Sequence, residues 1–189
     1  ITGLASLAFV AYLGYGLFTY QPLNLLSGLA PPVTHNFFRQ EAAMDFPDCP
    51  QGIRCFKDYD EGLAYAKDRN LPVMIDFTGH GCVNCRKMEE NVWGLENIKP
   101  LLEQEYVLIS LYVDDRKKVK GADADKYRNV GAKWSQFQIE HFNSNSQPLY
   151  VLMSPNEEIL NSPKGYTPDV KQYEEFLQCG IDRWNSIKK

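Results

Sequence analysis

Cys82 and Cys85, two residues apart in the run Gly81-Cys82-Val83-Asn84-Cys85, carry the sharpest chemical signal in this 189-residue chain. Thiols at that spacing can close a small disulfide ring if a helix begins between them. The first would then sit beside the unpaired N–H groups and positive dipole end of the helix. Those groups favour thiolate, the form that attacks disulfides, which makes Cys82 the expected nucleophile. Cys85, about one turn along, is suited to resolving a mixed disulfide. A Cys-x-x-Cys is also half of a zinc site. Cys49, Cys55 and Cys179 supply no second such pair, and His80 would offer a third ligand only in poor tetrahedral geometry.

Asp76 lies six residues before Cys82 in an otherwise apolar run. Burial there would raise its pKa and make it a proton acceptor for the resolving thiol; the alternative is a carboxylate paired with a lysine or facing water. Glu89 follows Cys85 by four residues and shares its helical face, where it can tune the thiol or simply be solvated. Gln147-Pro148 precedes a third apolar run. A proline there marks a strand start or special turn, and a cis bond would present the Gln147 backbone to an incoming peptide.

The elements that must position these groups follow from the surrounding pattern. Asp58-Tyr59-Asp60-Glu61 has capping-box spacing and predicts a helix to about Arg69. Residues 71–77, 106–113 and 149–153 read as buried strands. Helices are expected over 82–93, 96–105 and within 122–142, and a hairpin partner over 158–161. Thr167-Pro168-Asp169 predicts a helix start with Thr167 as N-cap. Val170, Tyr173, Leu177, Ile181 and Trp184 recur at helical steps, so one face of that helix should pack on the sheet. The alternation implies an α/β domain, a small mixed sheet flanked by helices.

Charge divides the chain. All 20 Lys+Arg and 24 Asp+Glu follow residue 38, and the net charge is −4. A mildly acidic chain without a basic block argues against a nucleic-acid partner. With 44% hydrophobic residues, disorder is not expected. Residues 1–20 hold no charge and are long enough to span roughly 30 Å as a helix, so a transmembrane segment or its remnant is expected. A signal peptide, with Gly28-Leu29-Ala30 as cleavage site, and a buried soluble helix are the rivals. Residues 21–56, with Pro22, Pro31, Pro32, Pro47 and Pro50, read as a linker, leaving 57–189 as the folded domain. Cys49 and Cys55 in that linker suit a structural disulfide, with a second redox pair as the alternative. Cys179 reads as a buried small hydrophobe. Trp134, Phe137 and Phe142 read as additional core rather than a docking surface.

Taken together, LPVMIDFTGHGCVNC, then QPLYVLM and a terminal helix, resemble the thioredoxin superfamily. The run CVNCRKMEENVW is more closely similar to the periplasm-facing C-terminal domain of DsbD-type bacterial thiol:disulfide interchange proteins. The resemblance implies a thioredoxin-like fold after a membrane helix, and disulfide reductase activity. In that scheme Cys82 is the nucleophile, Cys85 the resolving thiol, Asp76 and Glu89 functional acids and Pro148 a cis-proline. His80, Gly81, Gln147 and Pro148 would contact the partner. Relatives usually carry Trp where this chain has Gly81, and Thr or an Ile-type residue where it has Gln147. Implied partners are a membrane dithiol donor and periplasmic disulfide proteins, placing the chain at a bacterial inner membrane. No cofactor beyond the dithiol is expected, since nucleotide, flavin and phosphate motifs are missing. A dithiol oxidase or isomerase, or a metallochaperone using Cys82, Cys85 and His80, are the alternatives.

Overall fold

The structure, a computed structural model, describes residues 2–19 and 49–188. Three longer strands make up most of a four-stranded sheet: β2 (Val73–Thr78), β3 (Val107–Tyr112) and β4 (Leu149–Met153). Every residue in them is buried, as expected of strands covered on both faces. The fourth, β1 (Cys55–Phe56), gives the order β1-β3-β2-β4. β1 and β2 run parallel to β3, and β4 runs antiparallel to β2. β1 lies in the stretch read as linker: a strand of two residues shows no periodicity. Ile53 beside it is fully buried, so the packed unit takes in part of that lead-in.

Helix α1 (Thr2–Thr19) forms in the charge-free segment. Among the described residues, however, no helix is long and apolar enough to cross a membrane. Gly28-Leu29-Ala30 and the rest of the lead-in to residue 48 lie outside the described residues.

The other helices dock by their apolar faces. Helix α2 (Tyr59–Arg69) begins where the Asp58 carboxylate accepts the Asp60 and Glu61 N–H groups, and ends at Asn70 in left-handed conformation. It sits so close to β3 that a Cβ on Gly62 would lie 2.5 Å from Ile109. Helix α3 (Val83–Met88) continues as a π-helical turn, Glu89–Trp93. The helix expected over 96–105 is reduced to a π turn, Leu101–Glu105. In the long insertion, α4 (Val130–Phe142) starts at an Asn129 cap, with a separate 3₁₀ turn at Gly121–Asp123. Helix α5 (Val170–Ile187) is capped by Asp169, which accepts the Gln172 N–H, and not by Thr167, whose hydroxyl donates to the Gly165 carbonyl. Residues 158–161 make no strand; Ile159 forms a single bridge to Met153.

Two apolar clusters occupy the two faces of the sheet. Val73, Ile75 and Phe77 face a cluster with Leu63, Ala66 and Trp134, against which Phe137 and Phe142 pack as core residues. Met74 faces the other, with Trp93, Tyr173, Leu177 and Trp184. Period-two alternation along β2 therefore turns Asp76 and Thr78 toward the face that carries the residues following α3.

Candidate redox site

The backbone leaves β2 at Thr78 and turns through Gly79-His80-Gly81 into α3. Cys82 is the N-cap of that helix and half-exposed, whereas Cys85 is 1% exposed. The two are joined by a disulfide across a Cα–Cα distance of 5.3 Å. The Cys85 N–H donates to Cys82 Sγ at 3.2 Å, so a helix-terminal amide points at the outer sulfur. Attack by a partner is open at Cys82 and closed at Cys85.

Asp76 is 1% exposed and pairs in register with Ser110 on β3, whose hydroxyl donates to its carboxylate at 3.3 Å. Burial pushes its pKa from 3.8 up to about 7, opposed by Arg86, the Ser110 hydrogen bond and Lys57. Glu89, also buried, is driven up by burial while Arg86 pulls it down. Arg86 is the cation between these acids: its guanidinium meets Glu89 at 2.6 Å and donates to the Thr78 hydroxyl at 3.0 Å. The Tyr112 hydroxyl is pushed up to about 12 by burial and by Glu89. Two carboxyls and one buried guanidinium are thus coupled on β2 and on the helical segment that starts at the dithiol, an arrangement that can take up and release a proton near neutral pH.

The third element lies at the same end of the sheet, because Leu149 on β4 pairs with Phe77, next to the last residue of β2. The Gln147-Pro148 bond is cis. The loop before it is pinned by Gln138, a fully buried side chain of α4: its amide donates to the Ser146 carbonyl at 2.9 Å, and its Oε1 accepts the Gln147 side-chain amide at 2.8 Å.

The structure brings Cys82, Cys85, Asp76, Glu89, His80, Gly81, Gln147 and Pro148 to one end of the fold. His80 is exposed and stacks on Tyr112, with ring centroids 4.3 Å apart. Among the described residues no group of three His, Cys, Asp or Glu side chains is placed to hold a metal ion. Cys49 and Cys55 form a second disulfide, Cα atoms 5.7 Å apart, whose loop touches the site: the Gln51 side chain donates to the Glu89 carbonyl at 2.8 Å. Cys179 is a free, exposed cysteine, contrary to the buried reading, because it falls on the outer side of α5 from Tyr173, Leu177 and Trp184.

Sequence reasoning missed Arg86, Ser110, Tyr112 and Asp114. Arg86 carried a signal, an unpaired-looking charge directly after Cys85 and three residues before Glu89. Ser110 and Asp114 become neighbours of the site only through strand pairing and loop closure.

The fold and its dithiol define the class. A family profile described as thioredoxin-like matches residues 54–155, more than half of the chain, and the chain belongs to that family. Among solved structures it is similar to a thioredoxin from Thermus thermophilus, with 21% identity, a TM-score of 0.55 and coverage of 72% of this chain and 93% of that one. It is also similar to DsbH oxidoreductase, with 17% identity, a TM-score of 0.52 and coverage of 69% and 85%. At these identities the likeness is one of fold. No curated protein matches the chain.

Proposed function

We propose that this chain is a thiol-disulfide oxidoreductase working as a disulfide reductase. The observation that carries the reading is the pairing of a half-exposed Cys82 with a buried Cys85 at a helix start, with the buried carboxyl of Asp76 on the strand that leads into it. In the reduced protein the Cys82 thiolate attacks a partner disulfide. A mixed disulfide forms and one partner thiolate leaves. Asp76 takes the proton of Cys85, directly or through water, and Cys85 attacks Cys82 Sγ. The Cys82–Cys85 disulfide closes and the second partner thiolate departs. Two electrons pass from the protein to the partner, and a separate dithiol must return them.

The finer reading is a DsbD-type reductase module that takes electrons from a membrane dithiol and gives them to disulfide proteins of the bacterial periplasm. Its support is the run CVNCRKMEENVW together with two buried acids next to the dithiol, which oppose thiolate formation and so favour a reducing couple. An oxidising compartment is supported by the Cys49–Cys55 disulfide. Cys85→Ser leaves Cys82 without its resolving partner and should accumulate mixed disulfides that run as reducible adducts on a gel. If that variant forms none with any disulfide protein or peptide, the exchange mechanism is wrong.

A further inference from the structure

Immediately after β3, Asp114 reaches back to the turn that precedes Cys82. One carboxylate oxygen accepts the His80 N–H at 2.8 Å and the other accepts the Gly81 N–H at 2.9 Å. The approach is close: a Cβ on Gly79 would lie 3.0 Å from Asp114 Oδ2, so a larger residue there would push the carboxylate back. The turn closes with the Cys82 N–H donating to the Gly79 carbonyl at 3.1 Å. Thus the glycine at position 79 is matched to a carboxylate 35 residues away. This carboxylate also satisfies two amides that would otherwise stand free just ahead of the α3 N-terminus.

We propose that Asp114 is a positioning residue that sets the reactivity of Cys82. It acts in two ways. It holds the Gly79-His80-Gly81 turn so that Cys82 falls at the N-cap of α3. It also places a negative charge one residue from the sulfur and engages two amides that could otherwise support a thiolate. Both electrostatic effects raise the Cys82 pKa and make the couple more reducing. The inference rests on the exchange reading of the dithiol.

Other charged groups lie around the same turn. Asp76 lies below on β2, Arg86 and Glu89 on α3 and the turn after it, His80 in the same turn, and Lys57 acts on Asp76 and Glu89 from the lead-in to α2. Asp114 is exposed, so water screens its charge and the effect is a modest one.

The test compares Asp114→Asn with Asp115→Asn, which removes the adjacent charge without touching the His80 or Gly81 amide. The Cys82 pKa is read from the pH dependence of iodoacetamide alkylation of the reduced protein. The dithiol–disulfide equilibrium is read against glutathione, each protein disulfide consuming two glutathione thiols and releasing one oxidised glutathione. For Asp114→Asn the pKa should fall, and the equilibrium should shift toward the protein dithiol by at least about twofold and up to about tenfold. Asp115→Asn should move both by less. If folded Asp114→Asn changes both by under about twofold, or no more than Asp115→Asn does, the proposal is overturned. Amide NMR of the unmutated reduced protein gives an arm that needs no variant. The His80 and Gly81 amide protons should both exchange slowly with solvent, as amides bonded to a carboxylate do, and unprotected exchange at both would also overturn the proposal. Alkylation needs no partner protein. A wild-type protein that alkylates normally but reduces no disulfide would therefore sink the functional reading while leaving the Asp114 comparison interpretable.

Discussion

Asp76→Asn should change how stability depends on pH, by an amount set by the burial of Asp76. The carboxyl is 1% exposed, and its one hydrogen bond, from Ser110, is long at 3.3 Å. Burial raises its pKa from 3.8 to about 7. The unfolded chain therefore releases this proton near pH 4, while the folded protein keeps it until about pH 7. Stability contributed by the neutral carboxyl is complete below about pH 4 and is lost as pH rises to about 7, levelling off above that. At about 1.4 kcal/mol for each tenfold change in an equilibrium constant, the displacement from 3.8 to about 7 corresponds to a loss of about 4 kcal/mol. Asparagine has nearly the same shape and cannot ionise. The assay is urea unfolding of the oxidised wild type and of Asp76→Asn from pH 4 to 8. Subtracting the two curves cancels Glu89 and the other titrating groups to first order. The difference, wild type minus variant, should fall by up to about 4 kcal/mol between pH 4 and 7 and then flatten. A flat difference across that range would refute the raised pKa, and with it the reason for assigning Asp76 the proton of Cys85. In the functional assay the same variant should slow release of the mixed disulfide by about 10²-fold or more, while initial attack by Cys82 is much less affected.

Two further outcomes follow from the same surroundings. Arg86→Met removes the cation shared by Glu89 and Asp76 and should cost about 3–5 kcal/mol in urea unfolding at pH 9, where both acids are ionised; that cost should shrink as pH falls through about 8 to 7 and both acids take up protons. Replacing Cys49 and Cys55 by serine opens a loop of sequence separation 6 and should cost about 2 kcal/mol, with mixed-disulfide formation through Cys82 retained. Loss of exchange in a folded double variant would instead make the pair part of the redox chemistry.

Legibility from sequence followed how local each signal was. The Asp58 cap, the apolar runs of β2, β3 and β4 and the packed face of α5 are written in short windows and appear where they were expected. Strand β1 was invisible because it is two residues long and made only by pairing with Leu108 and Ile109. The α5 cap was misplaced by two residues because Thr167 and Asp169 are both good caps, and only the backbone path decides which one faces Gln172. Residues 158–161 turn back onto β4 as a hairpin partner would, but the pairing is one bridge at Ile159 and does not extend into a ladder. Cys179 was read as buried from its residue type, whereas its angular position on α5 puts it in water.

By itself the sequence determined the chemistry: two thiols at the spacing of one helical turn, an acid in an apolar strand, and a proline ahead of another strand. Those depend on covalent order and on the periods of helix and strand. The tertiary structure decided what surrounds that chemistry. Strand register set Ser110 against Asp76, docking of α3 buried Arg86 between two carboxyls, and the return of the chain after β3 laid Asp114 on the turn before Cys82. Each of these is an electrostatic contact between residues that neither their own types nor local spacing bring together. The strength of such contacts depends on burial and distance, which exist only once the chain has closed on itself.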